Sequence, residues 1–154
     1  MDEQANCTFQ EKIEKIKKQC DFDFIKLAFL QKPNGNEKAA PIYVSGNISM
    51  RYLRIVIQTR IGLAGQVAKT GRPAFIIDAE KEIKPEEVQQ YPIIMAENLN
   101  SLCALPLFQH GEVIGVVLAG FRSSNRMTAD VIEKFKKEVK HKFRLLDKAG
   151  VGKK

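Results

Sequence analysis

A glycine-bounded segment in the middle of the chain reads Arg60-Ile61-Gly62-Leu63-Ala64-Gly65-Gln66-Val67-Ala68-Lys69-Thr70-Gly71-Arg72-Pro73. Gly62 and Gly65 allow a tight turn and a close approach of the backbone. Residues 63–70 are long enough for two helical turns, and Gly71 followed by Pro73 is typical of a helix end. A helix that begins in such a loop presents unbonded N–H groups and the positive end of its dipole. The segment therefore predicts either a tight corner without a ligand or a site for a small anion.

Two apolar regions after this segment predict strands. Residues 74–77 form a short apolar run that ends at Asp78, which predicts a buried strand. Residues 101–107 and 113–121 are longer apolar runs. The turn residues between them, including Gly111, predict a hairpin of two mostly buried strands.

The flanking segments complete an alternation of helices and strands. Thr8 and Glu11 form a capping-box pattern that predicts a first helix, and turn-bounded apolar runs predict strands at 21–30 and 41–45. A helix is predicted at 49–58, with Tyr52, Ile55 and Val56 facing inward. In the connection 78–100, two short helices are predicted to begin at Pro85 and Pro92. A last helix is predicted from Thr128 to 149–150. This order predicts an α+β fold with a central antiparallel sheet of five or six strands.

Composition fits one domain with a full hydrophobic core. The chain has 154 residues, of which 44% are hydrophobic and 28% charged. No apolar run is long enough to cross a bilayer, so no membrane association is predicted, and the first residues lack the apolar core of a signal peptide. We therefore expect a cytoplasmic protein.

The cysteines and histidines indicate no metal or redox site. Cys7, Cys20 and Cys103 include no C-x-x-C pair, which argues against a disulfide framework and a zinc site. Cys20 and Cys103 lie in apolar segments and are expected in the core. His110 falls in a turn and His141 on the last helix, so both are expected on the surface rather than as haem ligands. The sequence predicts no catalytic residue, no metal and no cofactor.

The formal charge of +7 is concentrated in the C-terminal helix. Its apolar positions repeat at helical spacing and are Phe135, Val139, Phe143 and Leu146. We therefore expect a helix that packs on one side and turns its lysines toward water. A basic face can bind nucleic acid, but no aromatic platform accompanies this one, which argues against that partner.

A second helix start lies in the connection. Behind Pro92, the N–H groups of Ile93 and Ile94 lack intrahelical acceptors. If the connection folds over the glycine-bounded segment, two helix N-termini converge, and their dipoles would stabilise an anion. Tyr91 could add a phenolic O–H donor. The same residues also fit an ordinary apolar core beneath a loop.

Together these segments resemble the GAF domain family of small-molecule sensor modules. The matching patterns are G-L-A-G-x-V-A-x-T-G-x-P from Gly62, S-x-x-A-L-P-L from Ser101 and G-x-V-I-G-V-V-L from Gly111. The resemblance covers residues 8–148, with 1–7 and 149–154 as tails. It implies a GAF fold whose terminal helices cover one face of the sheet, while the ligand pocket lies on the other.

The closer resemblance is to the nitrate-receptor (NreA-type) GAF proteins of Gram-positive nitrate- and oxygen-sensing systems. It implies a nitrate-binding site at Leu63, Ala64, Tyr91 and Ile93. The family also uses a tryptophan on the second strand, and this chain has no Trp. The nearest strand residues here are Pro41 and Tyr43, of which Tyr43 is a further candidate for ligand binding. Nitrite, iodide or another small anion is an alternative ligand.

The resemblance implies a receptor rather than an enzyme. Such proteins bind an oxygen-sensing histidine kinase and restrain its autophosphorylation until nitrate binds. An alternative is a GAF sensor for another ligand or an interaction module, whose terminal helices 8–20 and 128–148 would pair with a kinase or with a second copy in a homodimer.

An enzymatic alternative is a free methionine-sulfoxide reductase, which also uses a stand-alone GAF domain. That chemistry needs cysteines beside the pocket. The segment 62–93 contains none.

Overall fold

The computed structural model describes residues 8–30, 41–51 and 62–151. Within these ranges, five strands are formed: β1 (Phe24–Phe29), β2 (Ile42–Ser45), β3 (Ala74–Ile76), β4 (Ser101–Gln109) and β5 (Glu112–Phe121). The α-helices are α1 (Phe9–Cys20), α2 (Gly62–Thr70), α3 (Ala79–Glu82), α4 (Pro92–Glu97) and α5 (Ala129–Val151). A 3-10 helix, Pro85–Gln90, lies between α3 and α4.

The strands form one sheet in the order β2-β1-β5-β4-β3, and every neighbouring pair is antiparallel. The β4–β5 hairpin is closed by His110 and Gly111, which both have positive φ, at 56° and 77°. Two such residues between paired Gln109 and Glu112 are typical of a hairpin whose turn follows the twist of its strands. The predicted α+β fold with an antiparallel sheet of five or six strands is confirmed, and the described residues form five.

Alternating side chains divide the core into two layers. On one face, Ile25 and Leu27 of β1 pack with buried residues of α1 and α5. On the other face, Phe24 packs with residues of α2 and α4, including Leu63 and Ile93. The terminal helices therefore cover one face, and the segment between β2 and β4 covers the other.

Helix α1 begins where the sequence predicts it. The hydroxyl of Thr8 accepts the N–H of Glu11 at 3.0 Å, and the Glu11 carboxylate accepts the N–H of Thr8 at 3.0 Å. This reciprocal pair satisfies two N–H groups that have no intrahelical partner. The helix ends at Asp21, whose φ of 61° is left-handed.

The connection and the sheet edge differ from the sequence prediction. Strand β3 is an edge strand in which Phe75 is 48% exposed, so the prediction of a buried strand is wrong at that residue. Helix α3 was not predicted, because four residues show no helical periodicity. The last helix continues to Val151, past the predicted end at 149–150. Most of the helix predicted at 49–58, including Tyr52, Ile55 and Val56, lies outside the described residues.

The burial of the cysteines, the histidines and the apolar positions of α5 agrees with the sequence prediction. Cys20 and Cys103 are buried, and His110 and His141 are exposed. Phe135, Val139 and Phe143 of α5 face the core as predicted, whereas the side chain of Leu146 lies outside the described part of the chain. None of the helices in the described ranges has the length and apolarity needed to cross a membrane.

Candidate functional site

The start of α2 is set by Gly62. Its φ of 70° is left-handed, so the chain turns sharply before the helix runs on from Leu63. Leu63 is buried and Ala64 is partly buried. Neither of their N–H groups donates to an acceptor in the described part of the chain, as is usual for the first turn of a helix.

The start of α4 lies against the start of α2. A Cβ built on Gly62 would lie 3.2 Å from the carbonyl oxygen of Gln90 and 3.7 Å from Cδ of Pro92. Pro92 is the first residue of α4, and the N–H of Ile93 behind it has no acceptor among the described residues. Two helix N-termini therefore meet, which gives the geometry that the sequence predicts for an anion site.

Leu63 and Tyr91 line the same groove at the edge of the sheet. The groove has a volume of about 350 Å³. It is completed by residues of α2, of β3 and the position before it, and of the end of α3, namely Gln66, Pro73, Ala74, Phe75, Ile76, Glu82 and Ile83. Ala64 and Tyr91 pack on the same buried cluster as Leu63 and Ile93. The structure thus brings together four of the five predicted site residues.

Tyr43 does not join them. Its ring lies 5.6 Å from that of Phe9 and 6.4 Å from that of Phe29, measured between centroids, on the face covered by α1 and α5. Adjacent residues of a strand point to opposite faces, so the residue of β2 that faces the site is Val44. Pro41 precedes the strand and is exposed.

A polar network behind α4 was not predicted from the sequence. Glu97 is fully buried at the end of α4. Its Oε1 accepts Nη2 of Arg122 at 2.7 Å and the N–H of Ile48 at 2.8 Å. Arg122 also donates to the carbonyl oxygens of Glu97 (2.9 Å) and Gly46 (3.0 Å). The only signal in the sequence is a carboxylate four residues after Ile93, on the same side of a short apolar helix.

Lys26 is a second charged residue that the sequence analysis missed. It is 2% exposed and lies on β1. Burial lowers the pKa of its ammonium to about 8, although the charge of Glu97 opposes this shift. The sequence carries a weak signal of it, which is a lysine in a strand that is otherwise apolar.

The buried thiols lie away from the site. Cys20 and Cys103 both belong to the cluster under α1 and α5. Burial raises the pKa of Cys20 to about 11 and that of Cys103 to about 12, so both remain protonated at neutral pH. In the ranges that the structure describes, no group of three or more His, Cys, Asp or Glu side chains is arranged to hold a metal ion.

Comparison with known proteins gives the family. A family model described as the GAF domain matches residues 6–135. A solved structure of Staphylococcus aureus NreA, mutated in its nitrate-binding site, is 37% identical over 79% of this chain and 88% of that chain, with a TM-score of 0.68. A second structure of mutated NreA is 35% identical over 82% and 96%, with a TM-score of 0.68.

More distant structures share the fold alone. The free methionine-R-sulfoxide reductase from Neisseria meningitidis, in complex with its substrate, is 18% identical over 93% of this chain and 78% of that chain, with a TM-score of 0.61. No curated protein matches the chain. The sequence patterns and the five-stranded sheet agree with the match of the family model to residues 6–135. The chain belongs to the GAF domain family.

Proposed function

We propose that this protein is a receptor for nitrate or a closely related small anion, which it binds at Leu63, Ala64, Tyr91 and Ile93. The observation that carries the proposal is the contact between the starts of α2 and α4, where Gly62 lies against Gln90 and Pro92. Relatives at 35–37% identity whose structures concern a nitrate-binding site support the choice of ligand.

The chemistry of this region suits an anion. The N–H groups of Leu63, Ala64 and Ile93 would donate to the ligand oxygens, and the dipoles of α2 and α4 would add partial positive charge. The phenol of Tyr91 supplies a further donor. Apolar side chains around these donors exclude water, which strengthens the hydrogen bonds.

The proposed role is signalling without catalysis. The protein would bind a sensor histidine kinase in the cytoplasm and restrain its autophosphorylation, and the anion would relieve that restraint. A ligand can do this only if it binds one conformation or one complex more tightly than the other. The connection 78–100, which carries Tyr91 and Ile93, is the candidate for the part that changes.

Isothermal titration calorimetry with sodium nitrate tests the binding step. The protein is first unfolded and refolded in anion-free buffer, so that no bound anion hides the site. Saturable heat with nitrate, and much weaker binding of chloride and sulfate, is the expected result, while nitrite shows how far the site tolerates a smaller oxyanion. A folded sample that gives no heat with nitrate would contradict the assignment of this ligand.

A kinase assay tests the signalling step separately. Autophosphorylation of a nitrate-system histidine kinase is measured with the protein alone and with the protein plus nitrate. We expect the protein to slow the reaction and nitrate to restore it. An unchanged rate in both cases, with nitrate binding intact, would leave an anion-binding protein with a different partner.

A further inference from the structure

A groove of about 250 Å³ lies between α5 and the second half of β4. Strand β3 pairs with β4 only as far as Ala104, so the rest of β4 has no neighbouring strand on this side among the described residues. Leu105 and Leu107, which follow, pack in the core beneath α1 and α5. The groove therefore opens on the face of the sheet opposite the starts of α2 and α4.

The floor of the groove is apolar. It is formed by two residues of β4 and two of α5, namely Leu105, Leu107, Val139 and Phe143. One end is bordered by the ring of Phe108, which is 37% exposed. Pockets that enclose a small molecule are usually larger, about 300–1,000 Å³, so this groove suits inserted side chains of a protein partner better than a whole ligand.

The rim of the groove is basic. Lys136 and Lys140 lie one helical turn apart on α5, and both line the groove. Lys136 contacts Glu133 at 3.4 Å in a solvent-exposed pair, which is a weak interaction. Lys140 is exposed and forms no ion pair with another described residue. A carboxylate brought to this rim would therefore meet two cations.

The kind of partner follows from Pro106 and from the charge of the chain. Open sheet edges can take up a further strand through backbone hydrogen bonds, but Pro106 lies in the open stretch of β4 and has no N–H to donate. A partner must therefore bind here mainly through side chains. The formal charge of +7 disfavours a second copy of this chain and favours an acidic partner. Nucleic acid offers phosphates but no apolar side chain for the floor.

We propose that this groove is a docking site for an acidic segment of a partner protein, which inserts apolar side chains between α5 and β4 and places carboxylates beside Lys136 and Lys140. In the signalling role proposed above, that partner is the histidine kinase, and this identification rests on the proposed function. The kinase and the anion then bind on opposite faces of the sheet, so neither blocks the other. Pro73 lines both this groove and the groove beside Tyr91, which brings the two sites together at one residue.

The test is binding of the full chain to the kinase of the autophosphorylation assay, measured by surface plasmon resonance. Lys136→Glu/Lys140→Glu reverses the charges at the rim. Lys134→Glu/Lys137→Glu is the matched control, because it changes the net charge equally at exposed residues of α5 that do not line the groove. We expect at least about a tenfold loss of affinity in the first variant and less than about threefold in the control. Phe108→Gln should also weaken binding, because it removes the apolar border of the groove.

The outcomes separate this inference from the proposed function. If the unaltered protein does not bind the kinase, the signalling role fails and the inference fails with it. If it binds and both double variants lose the same affinity, the kinase responds only to overall charge and the inference alone is wrong. A folded Phe108→Gln variant that binds normally would contradict the insertion of apolar side chains. Nitrate titration should give the same affinity in every folded variant.

Two further measurements cover the remaining occupants. Binding of the unaltered protein that does not weaken with added salt would overturn the inference even if the charge-reversed variant does not fold. A homodimer that Lys136→Glu/Lys140→Glu dissociates in sedimentation would make a second copy the occupant. Vesicles of equal parts phosphatidylcholine and phosphatidylglycerol that displace the kinase would make it a membrane surface. Either result would overturn the proposal.

Discussion

Gly62 and Gln90 lie so close that a side chain at Gly62 would crowd the Gln90 carbonyl oxygen, at 3.2 Å from an added Cβ. Residues 28 positions apart thus join the start of α2 to the segment before α4. A Cβ at this position would push the Gln90 carbonyl aside by a few tenths of an ångström, and the left-handed φ of 70° also favours glycine. The contact fixes how near the two helix starts can come, and the proposed anion site depends on that distance.

Gly62→Ala should therefore weaken both folding and anion binding. The left-handed backbone alone costs about 1 kcal/mol for a residue with a Cβ. Displacement of Gln90 and Pro92 should add to this and lower nitrate affinity. Gly111→Ala is the matched control, since Gly111 has φ of 77° but an added Cβ there meets nothing within 4 Å. Urea unfolding and nitrate titration of both variants should show a similar backbone cost but a loss of affinity in Gly62→Ala alone.

Ala64→Pro should abolish most nitrate binding without unfolding the protein. Ala64 is in the first turn of α2, where its N–H has no intrahelical acceptor, so proline removes a possible ligand donor but no bond of the helix. Loss of one hydrogen bond to an anion should cost about 1.5–3 kcal/mol of binding free energy. Ala64→Gly, which keeps the N–H, should bind nearly as the unaltered protein does. A folded Ala64→Pro variant with unchanged affinity would remove this N–H from the site.

The fold could be predicted because its signals are local. The capping box of Thr8 and Glu11, the glycine-bounded segment before α2 and the turn at Gly111 each act within a few residues. The face of the sheet on which Tyr43 lies was harder to predict from the sequence. It depends on the register of β1 against β2, in which Leu27 pairs with Tyr43, and pairing between strands is not contained in either strand alone.

The missed residues of the site depend on tertiary contacts. Glu97 is ordinary in sequence, and only the fold brings Arg122, 25 positions later, into an ion pair with it. Lys26 interrupts an apolar run, which a single sequence cannot distinguish from a strand that is half exposed. Phe75 is exposed because β3 is an edge strand. This position follows from the order of the strands in the sheet, which the apolar run 74–77 does not reveal.

The two tyrosines provide a direct test of which face carries the site. Tyr91→Phe should lower nitrate affinity by about tenfold, since its hydroxyl is a proposed donor to a charged ligand. Tyr43→Phe should leave the affinity unchanged, because its ring packs with Phe9 and Phe29 on the other face. Titration of both variants under the same conditions decides the matter. If Tyr43→Phe lowers the affinity as much as Tyr91→Phe does, the site must involve the face of the sheet covered by α1 and α5, which contradicts the proposal.

Arg122→Met should be the most destabilising of these substitutions. It leaves the fully buried carboxylate of Glu97 without its ion pair and removes bonds to Gly46 and to the Glu97 carbonyl. Breaking a buried pair from one side costs about 3 kcal/mol or more of the free energy of unfolding. The comparison variant is Glu133→Gln, whose 3.4 Å pair with Lys136 is solvent-exposed and should contribute less than about 1 kcal/mol.

The double variant Arg122→Met/Glu97→Gln distinguishes a lost ion pair from lost packing. If the cost arises from the uncompensated carboxylate, the double variant should be less destabilised than the sum of the two single variants, because the amide carries no charge. Urea unfolding of all four proteins measures this coupling. Strict additivity would mean that Arg122 stabilises the protein through its contacts with Gly46 and the end of α4.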